Sequence, residues 1–264
     1  MTLYLLYPLA GAVAGVFAGL LGIGGGVIVI PIMVFLFTAQ GVVPEHIMPM
    51  ALGTSLGTIM FTSFSSLRAH QRHGAVHWDI VKRITPGILL GTFSGSWVAT
   101  RLPALWLKGI FAAFLLYVAL QMILNLTPKP TRQLPKPAGV FGVGGFIGII
   151  SSLVGIGGGT LSVPFMTWCN LPLHHAIGTS AAIGMPIAVS GAFGYVVNGW
   201  SAPNLPAHNL GYINLPALFG IAMASMFTAP LGARLAHRLP LPALKRVFAA
   251  FLAVVALRMI WGAF

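Results

Sequence analysis

Two five-residue runs in this chain are identical: Gly22-Ile23-Gly24-Gly25-Gly26 and Gly155-Ile156-Gly157-Gly158-Gly159. Glycine tolerates the backbone angles of a tight, unwound turn. A helix that starts directly after such a turn presents free N–H groups and the positive end of its dipole, which together attract an anion. Two copies would set two such ends around one cavity. The candidate binding groups are therefore Gly22, Gly24, Gly25 and Gly26, with Gly155, Gly157, Gly158 and Gly159. No Gly-Lys-Ser/Thr follows either run, so neither is a nucleotide loop. Close packing of helices through small residues is the competing explanation. It fits the stripes Gly11, Gly15, Gly19 and Gly87, Gly91, Gly95 better, because four glycines in five positions exceed what packing needs.

A second motif is also duplicated. Gly53-Thr54-Ser55 returns as Gly178-Thr179-Ser180. The hydroxyls of Thr54, Ser55, Thr179 and Ser180 can donate to an oxyanion without carrying charge. Alternatively, each bonds a helix carbonyl or a neighbouring helix. Their duplication beside the expected cavity favours a binding role. The triplets diverge just afterwards, Leu56-Gly57 against Ala181-Ala182, so the two walls of a site would differ. Arg68 and Arg72 would favour anions at one mouth, and they also serve to fix topology. His70, His73 and His77, with His174 and His175, have mixed spacing without acids or thiols, which makes no metal site. Solvated histidines are the expectation, with a proton carrier as the alternative. No cofactor-binding pattern is present, and lone Cys169 reads as a small apolar residue in a packed segment.

These motifs lie in a chain that is 57% hydrophobic and 6% charged, with a mean hydropathy of +0.93. No Asp, Glu, Lys or Arg occurs between Lys136 and Arg234. Such a run is several times longer than the roughly 20 apolar residues that cross a bilayer. The composition excludes a soluble, disordered or disulfide-built protein and predicts an all-α polytopic membrane protein. The net charge of +12 follows from basic residues clustered in short loops, as topology and anionic headgroups require. Lipid, not nucleic acid, is the partner this implies. The first apolar run has no basic flank and its sequence recurs, so a cleaved signal peptide is not expected.

Two further markers repeat. Pro31 and Pro164 follow the glycine runs at equal distance, and Lys108–Leu115 (KGIFAAFL) matches Lys245–Leu252 (KRVFAAFL). The chain divides into repeats over about 1–130 and 138–264, joined by a linker, 131–137, within the Pro- and Lys-rich stretch Thr127–Pro137. Each repeat contains five apolar segments: 3–21, 26–39, 47–67, 84–100 and 104–126, then 138–154, 159–170, 175–197, 211–233 and 243–263. The second segment of each is too short to span comfortably. Charge decides the relative orientation. If the repeats are inverted, the loops 68–83, 127–137 and 234–246 share the cytoplasmic face and hold eleven of the 14 Lys and Arg. Both termini are then outside. Inverted repeats with glycine-broken short segments are the plan of a secondary transporter, with its site near the midplane. Glu45 and Asp79, the only acids, lie in loops on this reading. An intramembrane acid for cation coupling is therefore missing, which suits an anion carrier.

The stretches GLLGIGGGVIVIP (Gly19–Pro31) and SLVGIGGGTLSVP (Ser152–Pro164), with Gly178-Thr179-Ser180, GYINL (Gly211–Leu215) and APLGARLAHRLP (Ala229–Pro240), resemble the TauE/SafE sulfite-exporter family over nearly the whole chain. That resemblance implies a multi-pass permease of the cytoplasmic (inner) membrane that exports a small sulfur-containing anion, such as sulfite or an organosulfonate. An anion channel and a carrier of another small organic anion, such as a carboxylate, are the alternatives. A membrane enzyme is disfavoured, because the spans hold no nucleophile–base pair. The sequence leaves the oligomeric state open, a homo-oligomer included.

Overall fold

The computed structural model describes residues 6–21, 25–124, 131–236 and 241–261. Among these residues there are ten helices and one small hairpin. The first five helices are α1 (Leu6–Leu21), α2 (Gly26–Ala39), α3 (Pro44–Arg72), α4 (Trp78–Ala99) and α5 (Ala104–Leu124). The next five are α6 (Pro137–Val154), α7 (Gly159–Trp168), α8 (Leu173–Gly199), α9 (Leu215–Ala236) and α10 (Leu241–Ile260). The chain is an all-α, multi-pass membrane protein, and five of its helices are long and apolar enough to cross a bilayer. At about 1.5 Å per residue, α2 and α7 reach only about 21 and 15 Å, short of a bilayer core of about 30 Å.

Two expectations are corrected. Arg68, Arg72, Lys82 and Arg83 do not share one loop, and Glu45 and Asp79 do not lie in loops. α3 continues to Arg72 and α4 begins at Trp78, so only 73–77 is loop. The apolar segment marks what lipid covers, whereas the helix runs on by a turn or two at each end. Helix dipoles favour this placement of charge: Glu45 and Asp79 sit in the first turns of α3 and α4, and His70 and Arg72 in the last turn of α3. Secondly, residues 209–214 do not open a helix. They form an antiparallel pair, β1 (Asn209–Leu210) and β2 (Ile213–Asn214), that turns through Gly211 and Tyr212 before α9.

The helices of the two halves pack reciprocally. α1 lies on α9 and α4 on α6, while α3 meets α8 and α5 meets α10. The glycine stripes close two of these pairs. A Cβ at Gly11 would meet the Ile221 carbonyl at 2.6 Å, and Gly91 and Gly95 face Gly145 and Ile149 with as little room. α3 and α8 run antiparallel, since Gly53 faces Tyr195, Gly191 faces Leu56 and Gly184 faces Ser63. α2 and α7 lie against α3 and α8 respectively. The apolar residues of α2, with Met48, Leu52 and Leu56 of α3 and Met166 of α7, belong to the buried core, and Leu161, Val163 and Phe165 of α7 pack against it.

Candidate functional site

The second glycine run breaks the chain between α6 and α7. Gly155 has φ +64° and ψ +36°, a left-handed conformation that a side chain would strain, and its N–H bonds the Ser151 carbonyl. α7 then starts at Gly159, with Gly158 before it at φ −60° and ψ −23°. The Gly158 carbonyl accepts the first helical bonds, from Leu161 N–H at 3.3 Å and Ser162 N–H at 2.8 Å. α2 begins in the same register. Gly25 has φ −68° and ψ −20°, and its carbonyl accepts from Ile28 and Val29 at 3.1 and 3.0 Å. Neither start has a side-chain cap. Ahead of these bonds, the N–H groups of Gly26 and Val27 and of Gly159 and Thr160 have no intrahelical acceptor among the described residues. Pro31 and Pro164 sit at the sixth residue of each helix and release one further carbonyl in each first turn.

The start of α2 touches the second break. A Cβ on Gly26 would lie 2.6 Å from the Gly155 carbonyl oxygen, 3.1 Å from Ser55 Oγ and 3.3 Å from Ile156 Cα. Only glycine permits that approach. The Ser55 hydroxyl donates to the same Gly155 carbonyl at 2.7 Å, and so ties α3 to the break of the other half. Gly22 and Gly24 lie outside the described residues. Gly157 and Gly159 are half-buried, whereas Gly26, Gly155 and Gly158 are buried.

The duplicated threonines act as a matched pair of staples. Thr54 Oγ1 accepts the Asn214 N–H at 3.0 Å, and Thr179 Oγ1 accepts the His77 N–H at 2.9 Å. Asn214 and His77 are the residues just before α9 and α4. The glycine ahead of each threonine admits the same loop: Gly178 faces the Ala75 carbonyl and Gly53 the Tyr212 carbonyl. Each loop turns at a left-handed glycine, Gly74 at φ +64° and Gly211 at φ +57°. Gly74-Ala75-Val76-His77 is therefore the counterpart of Gly211-Tyr212-Ile213-Asn214. Sequence reading missed this repeat, because only the glycine is identical. The signal was available: Gly, one residue, a β-branched residue and a polar one, just before a helix.

The hydroxyls on the second side differ. Ser162 Oγ donates to the Gly158 carbonyl at 2.7 Å and shares a 2.9 Å hydrogen bond with Ser180 Oγ. Thr160, the second residue of α7, is buried and its Oγ1 has no hydrogen-bond partner among the described residues. Its counterpart, Val27, has no hydroxyl. Thr160 was not singled out in the sequence, although it directly follows the glycine run.

Arg68 and Arg72 lie about 20 and about 25 Å along α3 from Ser55, given the helical rise. They face a cavity of about 710 Å³ rather than the breaks. The rings of His77 and His175 come together from the two halves, at 4.8 Å and edge to face, and His174 lies 4.2 Å from His175. Burial, and then the Glu45 carboxylate, push the Tyr212 phenol above its ordinary range.

A helical, multi-pass chain with glycine-broken short helices at its centre has the build of a membrane transporter. Comparison with known proteins agrees. The profile of the family described as "Sulfite exporter TauE/SafE" matches residues 7–259, and the chain belongs to that family. A Haemophilus influenzae protein named "Probable membrane transporter protein" is 41% identical over 260 residues, covering 98% of each chain. A Methanocaldococcus jannaschii protein of the same description is 27% identical over 97% of this chain and 96% of its own. One from Bacillus subtilis is 27% identical over 88% and 89%. No solved structure matches. The chain is a membrane transporter and not an enzyme.

Proposed function

We propose that the protein exports a small sulfur-containing anion, sulfite or an organosulfonate, across the cytoplasmic membrane. The observation that carries this reading is the pair of glycine-started helices, α2 and α7. They match bond for bond in their first turns, and the start of α2 meets the turn before α7 where Gly26 packs on Gly155. Unpaired N–H groups at two helix starts bind an anion by dipole and hydrogen bond, without an immobile charge that would hold it too tightly for release. The name of the family supplies the sulfur oxyanion. With the cell interior negative, the membrane potential favours anion export by about 2.3 kcal/mol per charge per 100 mV, so no coupling ion is needed.

Two inverted repeats, 1–130 and 138–264, joined by a cytoplasmic linker 131–137, fit this role. The antiparallel run of the equivalent helices α3 and α8 supports the inversion, as does the clustering of basic residues. The staples at Thr54 and Thr179 each join one half to the other, so alternating access would pivot between them. The direct partners in this reading are the anion and the lipid bilayer.

The test is ligand-dependent thermal stabilisation of the purified protein by sulfite, sulfoacetate, taurine and methanesulfonate, with acetate and sulfate as comparators. A ligand that binds only the folded state raises its apparent stability. At least one sulfur anion should raise it more than acetate does. Thr160→Val should shrink that rise without lowering the stability of the ligand-free protein, because its hydroxyl has no partner to lose. No rise with any sulfur anion would overturn the reading.

A further inference from the structure

We infer that the cavity beside α3 binds organic anions through an apolar body as well as a charged head, so that the preferred substrate is a hydrophobic sulfonate or carboxylate rather than bare sulfite. This rests on the reading above that the protein binds small anions. The cavity has a volume of about 710 Å³. Pockets of about 300–1,000 Å³ take drug-sized ligands, and a four-atom oxyanion would occupy only a small part of one. Its charge is at one end. Arg68 and Arg72 lie one turn apart on α3, and neither has an ion-pair partner among the described residues. Glu45 is at the opposite end of α3, and Asp79 belongs to a second cavity with His77 and Arg83.

The remaining wall is apolar, built by Met60, Phe64, Met185 and Met226. Met60 and Met185 occupy the same position in the two repeats, seven residues after Gly53 and Gly178. On the same helices, Ile59, one residue before Met60, lies 3.4 Å from the Cβ position of Gly157, and Ile183, two residues before Met185, lies 3.2 Å from that of Gly158. The cavity is lined from α3 of one half and from α8 and α9 of the other, so it sits where the halves meet and not on a face of one repeat. Methionine is flexible and polarisable, and it accommodates apolar groups of varied shape. A soluble anion arriving at the arginines would lay its carbon body on the methionines.

The experiment is calorimetric titration of the full chain with methanesulfonate, propanesulfonate, hexanesulfonate and benzenesulfonate. The protein is held in nanodiscs of phosphatidylcholine, with and without phosphatidylglycerol. Affinity should rise about fourfold per added methylene, the equivalent of about 0.8 kcal/mol, until the cavity is filled. Phe64→Ser combined with Met226→Ser should flatten that rise. These side chains are 54% and 50% exposed, so the fold should tolerate the change. Arg68→Gln with Arg72→Gln should weaken every member together. If methanesulfonate binds and longer members bind no better, this inference falls and the anion reading stands. If no member binds, both fall. A tenfold loss of hexanesulfonate affinity in phosphatidylglycerol would mean that the cavity holds anionic lipid, and would also overturn the inference.

Discussion

Replacing Gly26 by alanine tests the contact between the start of α2 and the second break. The new methyl would sit 2.6 Å from the Gly155 carbonyl oxygen and 3.3 Å from Ile156 Cα, both backbone atoms that cannot swing aside. Overpacking of this kind costs about 1–3 kcal/mol. If the Gly155 segment yields instead, the 2.7 Å bond from Ser55 lengthens, at about 0.5–1.5 kcal/mol. Alanine gains up to about 1 kcal/mol in helix propensity, and less in the first turn, so the clash wins. The control is Gly157→Ala. Its nearest neighbour would be Ile59 Cγ2 at 3.4 Å, an ordinary contact, and the expected change is within about 0.5 kcal/mol. Equilibrium unfolding in mixed micelles, followed by tryptophan fluorescence, measures both. A Gly26→Ala protein as stable as the wild type, or a Gly157→Ala protein that loses as much, would refute that contact.

Other predictions follow from the staples and loops. Thr54→Val strands the buried Asn214 N–H and should cost about 1–3 kcal/mol in the same assay, with Thr54→Ser close to neutral. Thr179→Val should cost less, because its bond to His77 N–H is only partly buried. Gly211→Ala adds a clash with the Val196 carbonyl to its backbone strain, whereas Gly74→Ala meets nothing within 4 Å. The second should therefore lose only the left-handed penalty of about 1–2 kcal/mol, and the first clearly more. Asn214→Ala removes the side-chain acceptor for the Ala217 N–H at the start of α9, worth about 0.5–2 kcal/mol. Arg72→Glu should slow anion uptake into the protein most at low ionic strength and least near 1 M salt, where the screening length falls to about 3 Å.

Much of this was legible in the sequence, for identifiable reasons. The bounds expected for α2 agree with those observed, Gly26–Ala39, and α7 starts at Gly159 as expected. A glycine cluster followed by an apolar run marks a helix start sharply. The packing stripes at Gly11 and Gly91 were readable because a four-residue spacing keeps one helix face free of side chains. What escaped notice depends on the tertiary structure. Hydropathy locates the lipid-covered part of α3 and not its charged last turns. The hairpin at 209–214 is too short to show alternation, and it is held by Thr54 from another part of the chain. The Thr54 and Thr179 hydroxyls were expected at the anion. Each oxygen accepts a loop N–H from the other half, a structural use that the sequence did not show, and its own O–H remains a donor. The unpartnered hydroxyl of Thr160 became visible only once burial was known.

The most direct test of the central claim is counterflow in proteoliposomes. Vesicles containing the purified protein are preloaded with unlabelled sulfite or an organosulfonate, and entry of the labelled anion is followed. A carrier that binds its anion between α2 and α7 predicts saturable entry, accelerated by the same anion on the far side and abolished by Gly26→Ala. Entry that matches protein-free vesicles across the whole series of sulfur anions would contradict the account.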